Sequence, residues 1–250
     1  MADIARGRHL SAKSLRGMGQ FGGLVTAVAA LVASPAMAQN PVSDATIDLS
    51  AYLVPASTAP ARPDDDGFIR RWLLLEPIVK PNRSNAGFTG SYVRNAFAQT
   101  YFPGQMTIVP QNGQIVQAAT PLTWHAYDAQ RFDVKLFAFA QALGKPTYGV
   151  IFWAVTVIDS PKEQTVRMAV GSNSASMWWL NGEEALGLFD DRRMVMDDMV
   201  SRPLTLKKGR NVVRGAVING PGLSDFCLRF IDDSEQPIRD LNIVTTGAAK

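Results

Sequence analysis

The sequence predicts a mostly β chain, a two-sheet antiparallel β-sandwich with one inserted helix. Short apolar or alternating segments recur between turn signals, about every 8–15 residues, which is the pattern of a sandwich. One run, residues 148–158 (YGVIFWAVTVI), is β-branched or aromatic at nearly every position, as in a central strand covered on both faces. Only one long segment of the mature region, 128–144, has helical spacing, with Phe132, Leu136, Phe139, Ala140 and Leu143 three or four residues apart. Gly144 and Pro146 supply its stop.

The remaining elements follow in order. Residues 1–38 read as a secretory leader: a basic opening (Arg6, Arg8, Lys13, Arg16), an apolar run at 21–32, and Ala36-Met37-Ala38 before Gln39. The apolar run is shorter than the ~20 residues that a membrane span needs. Residues 39–66 are rich in Pro, Ala, Ser and Asp and are expected to be a flexible tether, with a short apolar piece at 47–54. The folded domain is expected over 67–245, with 246–250 as a tail. FIRRWLLLEPI (68–78) reads as a buried strand ended at Pro77. Residues 91–99 read as a short helix. Asn112-Gly113 reads as a hairpin turn between 106–109 and 114–116. Val166, Met168 and Val170 alternate with polar or small residues, as do Phe226, Leu228 and Phe230 with their neighbours. Asn181-Gly182 suits a type I′ turn, and Lys208-Gly209 a turn whose Asn211 amide bonds nearby backbone.

Charge and cysteine usage narrow the function classes. The chain has 25 Lys+Arg and 22 Asp+Glu. Four of those basic residues and one acidic residue lie in the leader, so 21 of each remain and the mature part is neutral. Its composition therefore offers no argument for nucleic-acid binding. Cys227 is the single cysteine, so no intramolecular disulfide can form and packing must supply the stability.

The order RWLLLEPI, an apolar strand, VRMAVGSNSASMWWLNGEEAL, LTLKKGRNVVRGAVING and FCLRFID resembles the galactose-binding-like β-sandwich (jelly-roll) modules that accompany glycoside hydrolases and carbohydrate esterases. More narrowly, it is similar to small secreted bacterial proteins named acetylxylan esterase. The resemblance covers roughly residues 68–245. It implies a secreted or periplasmic protein that binds plant polysaccharide of the xylan type, alone or beside a partner glycoside hydrolase or esterase. The alternative it implies is an acetylxylan esterase.

Candidate ligand-binding residues fall in two stretches. In VGSNSASMWWLNG, Trp178 and Trp179 point to opposite faces of a strand. One ring enters the core, and the other meets either a covering layer or a sugar. Arg192 and Arg193, with Asp190 and Asp191, could supply hydrogen bonds. In the second stretch, Trp124, His125 and Tyr127 lie in an expected loop before the 128–144 helix, with Asp128 as its N-cap. An esterase would need His125, the one histidine left after the leader, as base, with Ser172, Ser174, Ser176 or Ser224 as nucleophile. The chain has no Gly-x-Ser-x-Gly elbow. No cofactor is expected, and a structural calcium would have to use Asp190, Asp191, Asp197 and Asp198. A protein–protein role in the periplasm fits the neutral charge equally well.

Overall fold

The computed structural model describes residues 47–82 and 84–245. The leader, residues 39–46 of the expected tether and the tail 246–250 lie outside the described residues. The elements are β1 (Leu53–Pro55), β2 (Arg71–Leu75), β3 (Ile78–Val79), α1 (Gly90–Ala98), β4 (Ile115–Gln117), β5 (Pro121–Ala129), α2 (Leu136–Ala142), β6 (Val150–Ser160), β7 (Gln164–Ser172), β8 (Ala175–Leu180), β9 (Glu183–Leu188), β10 (Met199–Val200), β11 (Leu204–Leu206), β12 (Gly209–Asn219), β13 (Phe226–Ile231) and β14 (Asn242–Ile243).

These strands form two antiparallel sheets, as expected for a β-sandwich. The larger has ten strands along the order β1-β5-β2-β6-β12-β8-β9, with β3 and β14 also pairing β6 and β4 pairing β5. The smaller places β7 between β13 and the successive short strands β10 and β11.

Side-chain alternation divides the core into two layers. On β6, Val150, Phe152, Ala154 and Ile158 face the smaller sheet, while Ile151, Trp153 and Val155 face the other way. On β12, Val213 and Val217 point inward, and Ala216 and Ile218 outward. The smaller sheet answers the inner layer with Val166, Met168 and Val170 of β7 and Phe226, Leu228 and Phe230 of β13. The outer layer is covered by α1 and the segment after it, through Val93, Ala96, Phe97 and Phe102. An unbroken apolar strand is thus explained by apolar neighbours on both faces.

Trp178 and Trp179 straddle this sheet. Trp178 lies in the inner layer, its ring edge-on to Trp72 at 5.8 Å and tilted against Phe226 at 4.9 Å. A Cβ at Gly215 would lie 2.3 Å from that ring, so β12 needs a glycine there. Trp179 lies in the outer layer, stacked on Trp153 at 5.8 Å.

The turns confirm two expectations and correct a third. Asn181 (φ 53°) and Gly182 (φ 89°) both take positive φ, as a type I′ turn requires. Asn181 Oδ1 accepts from the Val212 amide, and Asn211 Nδ2 donates to the Lys207 and Gly209 carbonyls. Asn112-Gly113, in contrast, is not a hairpin tip. The Gly113 amide donates to the Trp124 carbonyl, and Asn112 Oδ1 accepts from the Ala126 amide, so the dipeptide runs alongside β5.

Two α-helices are present among the described residues, one in each of the two segments where helix was expected. α1 matches the expected 91–99 helix within a residue. The 128–144 segment yields only α2, because Tyr127, Asp128 and Ala129 pair with β1 and Val134 bridges to Phe226. These long-range pairings displace the first turns of the expected helix. No helix among the described residues is long and apolar enough to cross a membrane.

Part of the expected tether is also ordered. β1 pairs with β5, and Ala61 bridges to Ile243. Arg71, which is 3% exposed, explains why. Its Nε and Nη2 take both oxygens of Asp128, at 2.6 and 2.8 Å, and Nη2 also donates to Ser57. Nη1 donates to the Ala59 and Thr245 carbonyls. One guanidinium therefore fastens the segment before β2 and the segment after β14 to the sheet. Arg71→Met should cost about 2–4 kcal/mol in urea unfolding, below the full value for a buried pair because Asp128 keeps contact with water. It should also expose residues 57–62 to proteolysis in the folded protein.

Candidate functional site

The expected serine–histidine site is not assembled. β5 presents Trp124 and Ala126 to the outer layer, and His125 and Tyr127 to α2. The stretch is therefore a strand, not a loop, and Asp128 binds Arg71 and caps no helix. The His125 ring lies 5.7 Å from Phe139 and 6.2 Å from Tyr127, with Nε2 3.6 Å from Glu76. Glu76 also meets Lys145 at 3.2 Å. Ser174 gives its proton to the Ile218 carbonyl. Ser172 and Ser224 are buried, their Oγ atoms without a hydrogen-bond partner. Ser176 accepts from Trp178 Nε1 at 3.0 Å. Among the described residues, no hydrogen bond joins His125 to any of these serines. Burial pushes the Cys227 thiol up to about 12, which removes it as a nucleophile.

The expected sugar contacts are likewise redistributed. Trp124 and Trp178 are fully buried, so neither offers a ring face to a ligand. Tyr127 is half-buried against Phe139, and burial pushes its phenol up. Arg192 is bound to Asp198 and donates to the Phe189 carbonyl at 3.1 Å. Arg193 is exposed. The acidic residues nearby serve separate partners, Asp197 with Arg229 and Asp191 with Asn85. No group of three metal-binding side chains occurs among the described residues.

Trp179 differs from the other candidates. It is 7% exposed and lies at the floor of a groove of about 470 Å³. Arg94, Phe97 and Ala98 of α1 form one wall, Gly104, Gln105, Met106 and Thr107 the other, and Thr100 joins them. Alternation along β8, in register with β12, sets the ring on this face, and a β-bulge in β9 sets what lies beside it. Trp178 pairs with Leu186, but Trp179 pairs with Glu184, so β9 carries an extra residue at this point. The bulge brings Glu184 to Arg94, which ion-pairs with it and lies 5.3 Å over the Phe189 ring. Glu184 accordingly holds the Arg94 guanidinium above its ordinary range.

Both walls have local causes. α1 starts at Thr89, whose hydroxyl accepts from the Tyr92 amide, and it buries Val93, Ala96 and Phe97 while leaving Arg94 and Ala98 outside. The opposite wall is tied by Gln105, a buried amide. It accepts from the Tyr101 backbone at 2.9 Å and donates to the Gln99 and Phe97 carbonyls at 2.9 and 3.3 Å. The groove thus combines the Trp179 indole and Phe97 with a rim of one guanidinium and two hydroxyls. Sequence reasoning found Trp179 but missed both walls. The only available signal was the polar face of the 91–99 helix.

Gln105→Leu should leave the Tyr101 amide and two carbonyls unpaired, at about 2 kcal/mol in denaturant unfolding. The same variant should speed hydrogen exchange of residues 100–108 while β6 and β12 stay protected.

No family model matches the chain, and no curated protein matches it by sequence. Solved structures similar to it include an anti-sigma factor domain-containing protein, at 8% identity and TM-score 0.37, covering 46% of this chain and 40% of that one. A β-glucosidase from Kluyveromyces marxianus in complex with glucose is similar over 44% of this chain and 15% of its own length, at 21% identity and TM-score 0.33. A PA14 sugar-binding domain from an RTX adhesin is similar over 69% of this chain and 96% of its own, at 10% identity and TM-score 0.41. The chain therefore spans less than half of the first two proteins.

Proposed function

We propose that this chain is an exported glycan-binding module whose ligand lies in the Trp179 groove. The observation that supports it is the make-up of that groove. The indole of Trp179 and the phenyl ring of Phe97 line the floor and one wall, while Arg94, Thr100 and Thr107 line the same space. A sugar presents C–H faces to aromatic carbon and hydroxyls to polar side chains, so it needs both kinds of surface together. The volume, about 470 Å³, lies within the ordinary range of small-ligand clefts. The strand and turn pattern shared with polysaccharide-binding sandwiches makes a xylan-type chain the first ligand to test. On this reading the 1–38 leader directs export to the periplasm or medium, and a partner glycoside hydrolase or esterase would perform the chemistry.

The groove can be blocked without touching the core, because Ala98 is exposed on its wall. Xylo-oligosaccharide binding, measured by calorimetry or by retardation in a xylan gel, should fall at least tenfold in Ala98→Trp with the melting temperature unchanged. Equal binding by this variant, or no binding of plant polysaccharides by the parent, overturns the assignment.

A further inference from the structure

Four charged side chains are buried among the described residues: Arg71, Asp133, Arg214 and Asp225. Three have an opposite charge at hand. Arg71 meets Asp128 at 2.6 Å, and Lys135 meets Asp133 at 2.6 Å and Asp225 at 3.1 Å. Arg214 is 5% exposed and has no such partner among the described residues. Its Nη2 donates to the Ile108 carbonyl at 2.8 Å, and its Nη1 is buried without a hydrogen bond. Burial alone lowers this guanidinium to about 10, so it remains a cation at neutral pH. An uncompensated buried charge is costly, and departures of this kind from local optimality are expected at functional sites.

Its position suggests the use. Arg214 lies directly opposite Trp179 in the β12–β8 pairing, and directly opposed residues share a face of the sheet. Its one hydrogen bond goes to Ile108, the residue after the Met106–Thr107 wall of the groove. The guanidinium therefore lies beside the floor tryptophan and behind that wall, outside the residues that line the groove as it stands.

Resting on the groove as the glycan site, we propose that Arg214 is its anion subsite and that the ligand carries a carboxylate, as in a uronate-bearing glycan. The planar guanidinium fork matches a carboxylate, and the unpartnered Nη1 is the donor it would use. Entry requires the segment around Ile108, held to Arg214 by a single bond, to give way.

A matched pair of probes tests this, xylotetraose with and without a glucuronate side group, each titrated into the purified protein. The parent should bind the acidic sugar at least tenfold tighter, with a preference that shrinks as salt is added. Arg214→Met keeps the stem and removes the charge. It should lose the preference for the acidic sugar and melt at a higher temperature. Equal affinity of the parent for both sugars overturns the Arg214 assignment and leaves the groove standing. Retention of the preference in Arg214→Met does the same. Binding of neither sugar by the parent removes the groove reading and this one together. Equal affinity of the parent for both sugars overturns the assignment even if the variant does not fold.

Discussion

The larger sheet has two apolar faces, and that constraint governs the rest of the molecule. A strand such as β6, with valine, isoleucine, phenylalanine and tryptophan at successive positions, cannot leave either side in water. The inner side is covered by the smaller sheet, whose alternating Met168, Val170, Phe226 and Leu228 match it layer to layer. Among the described residues the outer side has no second sheet. It is covered by α1 and the irregular segment after it. The groove lies where this cover stays open above Trp179. A site at that place is a consequence of covering the two faces with different kinds of structure.

The polar groups inside this framework fall into two kinds. Arg71, Asn211 and Gln105 spend their hydrogen-bonding capacity on backbone and on nearby side chains, and so fix the path of otherwise irregular chain. Arg214 spends only one bond and has no counter-charge among the described residues. Satisfied networks rigidify a fold, while an unsatisfied cation lowers its stability. A departure of that sort from local optimality is characteristic of functional positions.

Much of the fold was legible in the sequence. The two-sided burial of β6 followed from its unbroken apolar run, and the β8–β9 turn from Asn181-Gly182. The alternation on β7 and β13 gave their inner faces directly. The errors share one physical cause, which is pairing between distant segments. Helical spacing over 128–144 gave way where Tyr127 and Asp128 joined β1 and β2. A Pro-rich stretch that composition marks as flexible was captured by a strand and by Arg71. The site was less legible. Trp179 stood out, but the placement of Glu184 beside it depends on a bulge in β9, and Arg94 is held by that carboxylate across space. Arg214 looks in sequence like the solvent-facing member of an alternating strand, VVRGAV. Only the cover supplied by residues around Ile108 makes it a buried charge.

The Arg71 hub has an architectural corollary. Because Ala61 bridges to Ile243 and one guanidinium binds both Ala59 and Thr245, the segment before β2 and the segment after β14 run side by side. A domain whose ends meet can be spliced into an exposed loop of a host protein without stretching either partner. It can equally be rejoined across that seam and reopened at a surface turn, in which case Arg71 would clamp the interior of a continuous strand connection and no longer a pair of ends.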